Sequence, residues 1–533
     1  MKKTLGAYLI EVLEARGIGH VFGIPGVHNL ELYRGLAASK IRHVAARHEQ
    51  GLGFMADGYA RVSGRPGICF TITGPGLTNI VTAMGQAYGD SIPLVVIASE
   101  NRRGELGSAR GFLHEMPDQL GVAARVAGMS RRITAAEQLP EALDLALAGA
   151  AGLRPRPAYI EIPRDVITED ASGLPPPGAG RAPPRPAAES GAVAAAARRL
   201  AAAEAPVILA GGGAVGAAAE LRRLAETLGA PVVMTINGRG LLPPGHPLGV
   251  PLSPSLEAVR ALIAGADAVL AVGTELGPTD YDMYSVSDFP PPPHLIRIDL
   301  DAAQLKRNAR AELALLGDAR ATLAALLAHE LGAPRPGRGA ARAAAACTAA
   351  LGALSPAVHR EIAFLEAIRD TLPEAILVGD STQPVYAGNL GFAAARPGSW
   401  FNSATGYGTL GYALPASTGA GLAAPGRPVV CLTGDGGIQF SLGELAVPRD
   451  VGAWTAIVVW NNHGYGEIKS SMVAVGIEPE GVDVRPPEFA DIARAYGYGH
   501  RLIDSVAALE RALKEFGARR QVVMLEVRAE AFE

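Results

Sequence analysis

Little in this 533-residue chain points to a membrane, a nucleic acid or an oxidising compartment. Cysteine is scarce. Cys69, Cys347 and Cys431 stand far apart without paired or metal-like spacing, and two of them fall in apolar runs that read as buried strands. A disulfide scaffold is excluded, and a reducing cytoplasm is expected. No apolar run approaches the ~20 residues of a membrane span. The short basic start is followed by Glu11, Glu14 and Arg16, so the N-terminal stretch reads as an amphipathic helix instead of a signal peptide. Charged residues make up only 19% and nearly balance, with a net charge of −4 and a pI near 6.3. That leaves no basic field for nucleic acid or acidic lipid, and neither partner is expected.

Apolar residues reach 49%, and the length suffices for two or three α/β domains with cores of their own. Two shifts in composition divide the chain. From Gly173 to Pro186 the run LPPPGAGRAPPRP can sustain neither a helix nor a central strand, which closes a first domain over residues 1–172. From Pro334 to Pro356 proline, glycine and alanine mix before the next strand begins, so a second domain spans 188–333 and a third 357–533. In the second, apolar strands (Pro206 to Ala210, Pro231 to Ile236, Ala268 to Val272, Leu295 to Asp299) alternate with Ala/Leu/Arg helices. This is the pattern of a Rossmann-like parallel sheet with right-handed crossovers. Gly211, Gly213 and Gly216 form a GxGxxG after the first of these strands, but the next strand ends at Asn237 and not at an acid that would hold a ribose. Tight strand-to-helix packing accounts for those glycines, and a nicotinamide cofactor is not expected.

The densest chemistry lies between Gly434 and Asn462, GDGGIQFSLGELAVPRDVGAWTAIVVWNN. An apolar strand, Pro428 to Leu432, enters the GDGG turn, helical spacing follows over Gln439 to Val447, and a second strand, Trp454 to Trp460, delivers two asparagines to the same strand-end level. Asp435 and Asn462 then offer hard oxygens to Mg²⁺ or Ca²⁺. Gly434, Gly436, Gly437 and Ile438 bring backbone N–H groups to phosphate oxygens at a helix start. Mg²⁺ rarely takes an all-protein cage, so diphosphate and water would complete its octahedron. The plain alternative is an ordinary glycine-rich turn with an incidental NN pair.

This order of strand, GDGG, helix, strand and NN resembles the thiamine diphosphate signature of the acetolactate synthase, pyruvate decarboxylase and benzoylformate decarboxylase superfamily. The resemblance covers nearly the whole chain. It implies an α/β thiamine diphosphate-binding fold of three doubly wound parallel-sheet domains: pyrimidine-binding, central Rossmann-like and diphosphate-binding. It also implies that Asp435, Asn462 and the Gly464 carbonyl hold Mg²⁺. The N-terminal segments GIPGVHNLELYRGL (Gly23 to Leu36), RHEQGLGFMADGYARVSG (Arg47 to Gly64) and TITGPGLTN (Thr71 to Asn79) follow the family order of a PG loop, a glutamate opening a helix and a GPG turn. Pro25, Gly74 and Asn79 are thereby implied at the cofactor, and Glu49 as the catalytic glutamate. Hydrogen-bonded to the aminopyrimidine, Glu49 would let the cofactor remove its own thiazolium proton. Packing against Leu52 and Phe54 would favour its protonated form; an acid serving the helix dipole is the bland alternative. In SATGYGTLGYALPAS (Ser403 to Ser417), the resemblance makes Gly408 the acceptor for the exocyclic amine and Leu410 the apolar wedge under the bent cofactor. Thr382 and Gln383 in DSTQP match a loop with polar diphosphate contacts. Active sites in this superfamily form across a subunit interface, which implies a homodimer as the minimal active unit and a homotetramer as the expected assembly.

Departures from the pattern bear on the substrate, a small 2-oxo acid. VGTELGPTDYDMY (Val272 to Tyr284) and GVPLSPSLEA (Gly249 to Ala258) replace the RFDDR and MHG segments of acetolactate synthases, which counts against FAD. Leu113-His114-Glu115 stands where pyruvate decarboxylases carry adjacent histidines, and Val27 and Gly74 replace the serine and histidine of benzoylformate decarboxylases. After the NN pair, Glu467 occupies a position that is small or apolar in those relatives, and a carboxylate there asks for a cationic partner. The combination of GIPGVHNLELYRGL, RHEQGLGFMADGYARV, FLHEMPDQ and GTELGPTDYDMY most resembles the 5-guanidino-2-oxopentanoate (2-ketoarginine) decarboxylases. A guanidinium prefers bidentate carboxylate contacts, so Glu467 is expected to meet it, with Glu115, Asp280 and Asp282 behind; a solvated turn is the alternative for the aspartates. His114 is the expected proton shuttle, with His28 as helper. An acetolactate synthase-like carboligase acting on pyruvate is the nearest competing activity, and a cofactor-binding protein without catalysis a more distant one.

Overall fold

The computed structural model describes residues 3–152, 154–180, 184–282, 291–332 and 336–532. Three six-stranded sheets organise it, built from parallel ladders. The first contains β1 (His20–Gly23), β2 (Arg42–Ala45), β3 (Gly67–Thr71), β4 (Leu94–Glu100), β5 (Met129–Arg132) and β6 (Ala158–Pro163), in the order β2-β1-β3-β4-β6-β5. The second contains β7 (Pro206–Ala210), β8 (Val232–Met234), β9 (Gly249–Val250), β10 (Ala268–Val272), β11 (Leu295–Asp299) and β12 (Leu313–Leu316), ordered β12-β11-β10-β7-β8-β9. The third contains β13 (Ile376–Gly379), β14 (Trp400–Asn402), β15 (Val429–Gly434), β16 (Thr455–Asn461), β17 (Gly499–Ile503) and β18 (Val523–Arg528), ordered β14-β13-β15-β16-β18-β17. Their central strands read as continuous apolar runs because helices cover both faces: β3, β4, β7, β10 and β16 are buried at every position.

Packing divides the chain into two compact units. One comprises Met1–Pro184, Gly406–Gly426 and Gln439–Thr455; the other comprises Arg185–Thr405, Arg427–Ile438 and Ala456–Glu533. In the first unit the helix Glu49–Ser63 packs along the helix Ala413–Ala423. Their backbones approach so closely that a methyl at Gly58 would lie 2.0 Å from the Ala416 carbonyl oxygen. Among the described residues, no single helix is long and apolar enough to cross a bilayer.

Doubly wound sheets place ligands where the strand order reverses, beyond the carboxyl ends of the two strands concerned. That point falls between β1 and β3 in the first sheet, β7 and β10 in the second, and β13 and β15 in the third. The second is filled by the chain itself. A methyl on Gly211 would lie 2.2 Å from the Gly273 carbonyl oxygen and one on Gly213 2.8 Å from the Gly273 Cα, so those glycines allow two turns to touch. In the first and third sheets the loops at the reversal carry the PG, GPG, DSTQ and GDGG motifs.

Two segments fold differently from their sequence pattern. The alanine-rich stretch before residue 357 forms a helix, Pro336–Gly352, whose Ala343, Ala346 and Ala350 join the core beside Val259, Leu262 and Ile263. Alanine's helix propensity carries it once the early proline and glycines are confined to the first turn. Downstream of GDGG, helical spacing becomes a 3-10 segment, Gly437–Leu445, kinked at Ser441, and then a short helix, Ala446–Val451. The segment beginning at Val272 runs past Asp282 into residues 283–290, outside the described residues, as does the 333–335 junction.

Candidate active site

In the second unit, the loops after β13, β15 and β16 converge. Asp380 N–H donates to the Leu432 carbonyl at 2.8 Å and Asp435 N–H to that of Trp460 at 3.0 Å, which binds each loop to the neighbouring strand. Glycine at 434 lets Thr382 come close: a methyl there would lie 3.2 Å from Thr382 Oγ1. Asp435 is 1% exposed. Burial raises its pKa, while N–H groups of Asn462, Gly464 and Gly436 oppose the rise.

The orientation of Asn462 decides what this site can hold. Its amide nitrogen donates to Gln383 Oε1 at 3.0 Å, and the same oxygen accepts from Trp460 Nε1 at 2.9 Å. Asn462 Oδ1 therefore faces two other oxygens, Asp435 Oδ1 at 3.0 Å and the Gly464 carbonyl at 2.8 Å. Turning the amide over would give those oxygens a donor, but it would set its own oxygen against Gln383 Oε1. Turning Gln383 as well would cost the buried Trp460 N–H its acceptor. Two oxygens thus face the Asn462 oxygen with no donor between them, an arrangement that a cation would satisfy. Adjacent vertices of an octahedron with ~2.1 Å metal–oxygen bonds lie ~3.0 Å apart, against ~3.3 Å or more for Ca²⁺. Gly464 reaches its place at φ +144°, where a methyl would meet the Val482 carbonyl oxygen at 2.4 Å. Among the described residues no cluster of three His, Cys, Asp or Glu side chains could bind a metal alone, so further ligands at this point would come from a bound molecule and water.

The first unit brings together the PG, GPG and histidine segments. Asn29 fastens the PG loop by accepting from Gly26 N–H at 2.8 Å and donating to the Ile24 carbonyl at 3.1 Å. Gly74, at φ +65°, makes room for His114: a methyl would lie 2.7 Å from the His114 carbonyl oxygen. The His28 and His114 rings stand 4.9 Å apart. Burial lowers the pKa of His28, and the neighbouring His114 and Arg164 lower it further. Beneath them Gln119 Oε1 accepts from Gly74 N–H and Thr73 Oγ1, both at 2.8 Å, and Thr73 also reaches the buried Glu100 at 2.9 Å. Pro25 and Val27 sit in the PG loop, with Val27 70% exposed. Gly408 is exposed, at φ +69°, and Leu410 is half-buried.

Glu49 opens the helix Glu49–Ser63 and accepts from Asn79 Nδ2 at 3.0 Å. Leu52 and Phe54 are fully buried while Glu49 is half-exposed. Just behind it lies Glu444, 2% exposed, whose carboxylate accepts from the N–H groups of Arg47 and His48. Sequence reasoning gave Glu444 and Gln119 no role. Both stand inside the motif strings, but their partners lie 397 and 45 residues away along the chain.

Of the four acids expected at a cationic group, two hold their own loops. Glu115 accepts from Ser108 Oγ and the N–H groups of Ala109, Gly111 and Phe112. Desolvation alone would raise its pKa, but those donors bring it below the usual range. Asp280 accepts from Thr274 Oγ1 at 2.7 Å and Glu275 N–H at 2.9 Å. The other two share one region of the second unit. Burial pushes Asp282 up to about 6, Arg239 pulls it down, and Glu467 pushes it up. Tyr386 is raised by burial and by Glu467, Asp380 and Asp282. Arg239, fully buried and donating to the Phe392 and Asn389 carbonyls, is lowered by burial to about 9.

Three segments match thiamine pyrophosphate enzyme domains: the N-terminal TPP-binding domain over residues 3–122, the central domain over 193–326 and the C-terminal TPP-binding domain over 380–527. The chain belongs to the thiamine pyrophosphate enzyme family. Within this family it is 45% identical to the "Probable 2-ketoarginine decarboxylase AruI" of Pseudomonas aeruginosa, across 98% of this chain and 94% of that one. It is 30% identical to the acetolactate synthase isozyme 1 large subunit of Escherichia coli (100% and 95% covered) and 30% identical to the acetolactate synthase of Arthrospira platensis (99% and 94%). The cofactor of this thiamine pyrophosphate enzyme is thiamine diphosphate.

Proposed function

We propose that this thiamine diphosphate-dependent 2-oxo acid decarboxylase converts 5-guanidino-2-oxopentanoate to 4-guanidinobutanal and CO₂, with Mg²⁺ as its metal. The observation that carries the substrate is the 45% identity, over 98% of the chain, to a protein named for 2-ketoarginine. Glu467 and Asp282 support it: two carboxylates within electrostatic reach of each other gain from a guanidinium between them. Mg²⁺ is supported by the spacing of the Asp435, Asn462 and Gly464 oxygens. Gly434, Gly436, Gly437 and Ile438 would supply N–H groups to the diphosphate, with Thr382 beside them.

When bound, thiamine diphosphate supplies the nucleophilic carbon and the electron sink for loss of CO₂. The residues of the chain do the rest. Glu49 holds or shares a proton at the aminopyrimidine, Asn79 fixes the carboxylate that does so, and Leu410 shapes the bound conformation. His114, with His28 against it, moves the proton that replaces CO₂. Val27 borders the substrate. Glu115 and Asp280 take no part in guanidinium binding in this proposal, because both are spent on their own loops. A homodimer is the proposed active unit, assembling as a homotetramer in the cytoplasm.

The test is CO₂ release and product analysis with thiamine diphosphate, Mg²⁺ and a panel of 2-ketoarginine, pyruvate and benzoylformate. Preference for 2-ketoarginine is expected. Acetolactate from pyruvate, with 2-ketoarginine untouched, would replace this reading by the carboligase that the relatives at 30–33% identity represent.

A further inference from the structure

We propose that Glu444 is a positioning residue for Glu49: its buried carboxylate gathers the Arg47 and His48 amides and sets the first turn of the Glu49–Ser63 helix. The inference rests on the role given to Glu49 above, but not on the identity of the 2-oxo acid.

The geometry is specific. Arg47 N–H lies 3.0 Å from Glu444 Oε1 and 3.3 Å from Oε2, and His48 N–H lies 2.9 Å from Oε1. These two amides precede the helix, where backbone donors have no partner within the helix itself. His48 completes the cap by accepting the Gln50 N–H at its Nδ1, 3.1 Å away. Within that first turn Gly51 leaves room for the acid: a methyl there would lie 2.3 Å from Glu444 Oε1. The carboxylate is thus wedged under the peptide that aims Glu49. The charges that act on it are those of Arg47, itself paired with Asp450, and of Glu49. Burial pushes Glu444 up to about 7, with the Arg47 and His48 N–H groups and the Arg47 charge lowering it and Glu49 raising it. The acid therefore changes charge near neutral pH. As an anion it accepts the two amides more strongly and holds the peptide before Glu49 more firmly. Once protonated it accepts them more weakly.

Two measurements test this, neither requiring a 2-oxo acid. The first is hydrogen–deuterium exchange of the Arg47 and His48 amides in the apo-protein. The second is exchange of the C2 proton of bound thiamine diphosphate in the full enzyme. In the wild type, amide protection and C2 exchange should weaken together as pH falls through about 7. Glu444→Gln should abolish the coupled step and slow C2 exchange by about tenfold or more, since small misplacements of catalytic groups cost up to ~100-fold. Gly51→Ala, which keeps the charge but displaces it, should slow C2 exchange as well, and Glu444→Asp should recover part of the rate and the pH step. A pH step unchanged in Glu444→Gln, or lost amide protection with normal C2 exchange, overturns the proposal; so does a wild type that does not accelerate C2 exchange. If Glu444→Gln fails to fold, the wild-type titration and Gly51→Ala still decide. Fast C2 exchange without turnover of 2-ketoarginine would refute the substrate assignment alone.

Discussion

Replacing Gln383 by leucine should weaken metal binding without touching Asp435, Asn462 or Gly464. Gln383 Oε1 accepts from Trp460 Nε1 and from Asn462 Nδ2, and the second bond keeps the Asn462 oxygen turned toward Asp435 and Gly464. In Gln383→Leu the amide is free to turn over and donate to Asp435 Oδ1, 3.0 Å away, and to the Gly464 carbonyl, 2.8 Å away. A hydrogen bond to a charged group contributes about 1.5–3 kcal/mol, and a metal ion would have to break it before binding. At about 1.4 kcal/mol per factor of ten, Mg²⁺ affinity should fall about 10- to 150-fold. The assay is the Mg²⁺ concentration for half-maximal activity at saturating thiamine diphosphate. Gln383→Leu also strands the buried Trp460 N–H, at a cost of about 1–3 kcal/mol, so a lower Tm should accompany it. Gln383→Glu keeps an acceptor for both donors and should need far less additional Mg²⁺. A Gln383→Leu enzyme with the expected drop in Tm but an unchanged Mg²⁺ requirement would show that Gln383 does not orient the Asn462 amide.

Other outcomes follow from the same structure. Glu49→Gln should lower kcat by about 10²- to 10⁴-fold while apo-protein Tm and circular dichroism stay unchanged. Glu467→Ala should lower kcat/KM for 2-ketoarginine by about 10- to 100-fold, the value of one charge-assisted hydrogen bond; an equal loss with pyruvate would remove Glu467 from guanidinium recognition. Glu444 also ties stability to pH. Its folded pKa, about 7, lies above its ordinary 4.5, so the folded state holds the proton more tightly than the unfolded chain. The resulting stabilisation is complete below about pH 4.5 and lost as pH rises through about 7. The Tm of the wild-type apo-protein, measured against Glu444→Gln, should therefore drop between pH 5 and 8, and an opposite trend would show that the acid is not buried as described. Stability would then be given up in the pH range where its anion serves the site.

Local pattern carried much of the architecture. β7, β10 and β11 fall where the apolar runs place them, and the GDGG and NN segments end adjacent strands, because burial on both faces leaves a parallel strand no freedom of composition. The alanine-rich stretch before residue 357 was less legible. Its proline and glycines read as a break, while its helix gains from an alanine face packed on Val259 and Leu262, a partner that composition does not name.

Read along the chain alone, the residues already offer the chemistry: a glutamate heading a helix, hard oxygens at two strand ends, glycines where loops must meet, and acids in excess where a substrate is expected. Motifs reveal this because spacing along the chain fixes position at a strand end. Which acids hold loops, and which way an amide points, depend on contacts made only when the chain folds. Glu115 and Asp280 turned inward to hold loops, Glu467 and Asp282 came within electrostatic reach of each other, Trp460 and Gln383 together oriented Asn462, and Glu444 reached back across 397 residues to the peptide before Glu49. The reason is physical. A hydrogen bond or a charge acts over a few ångströms of space, and no regularity of sequence encodes which distant residues will share them.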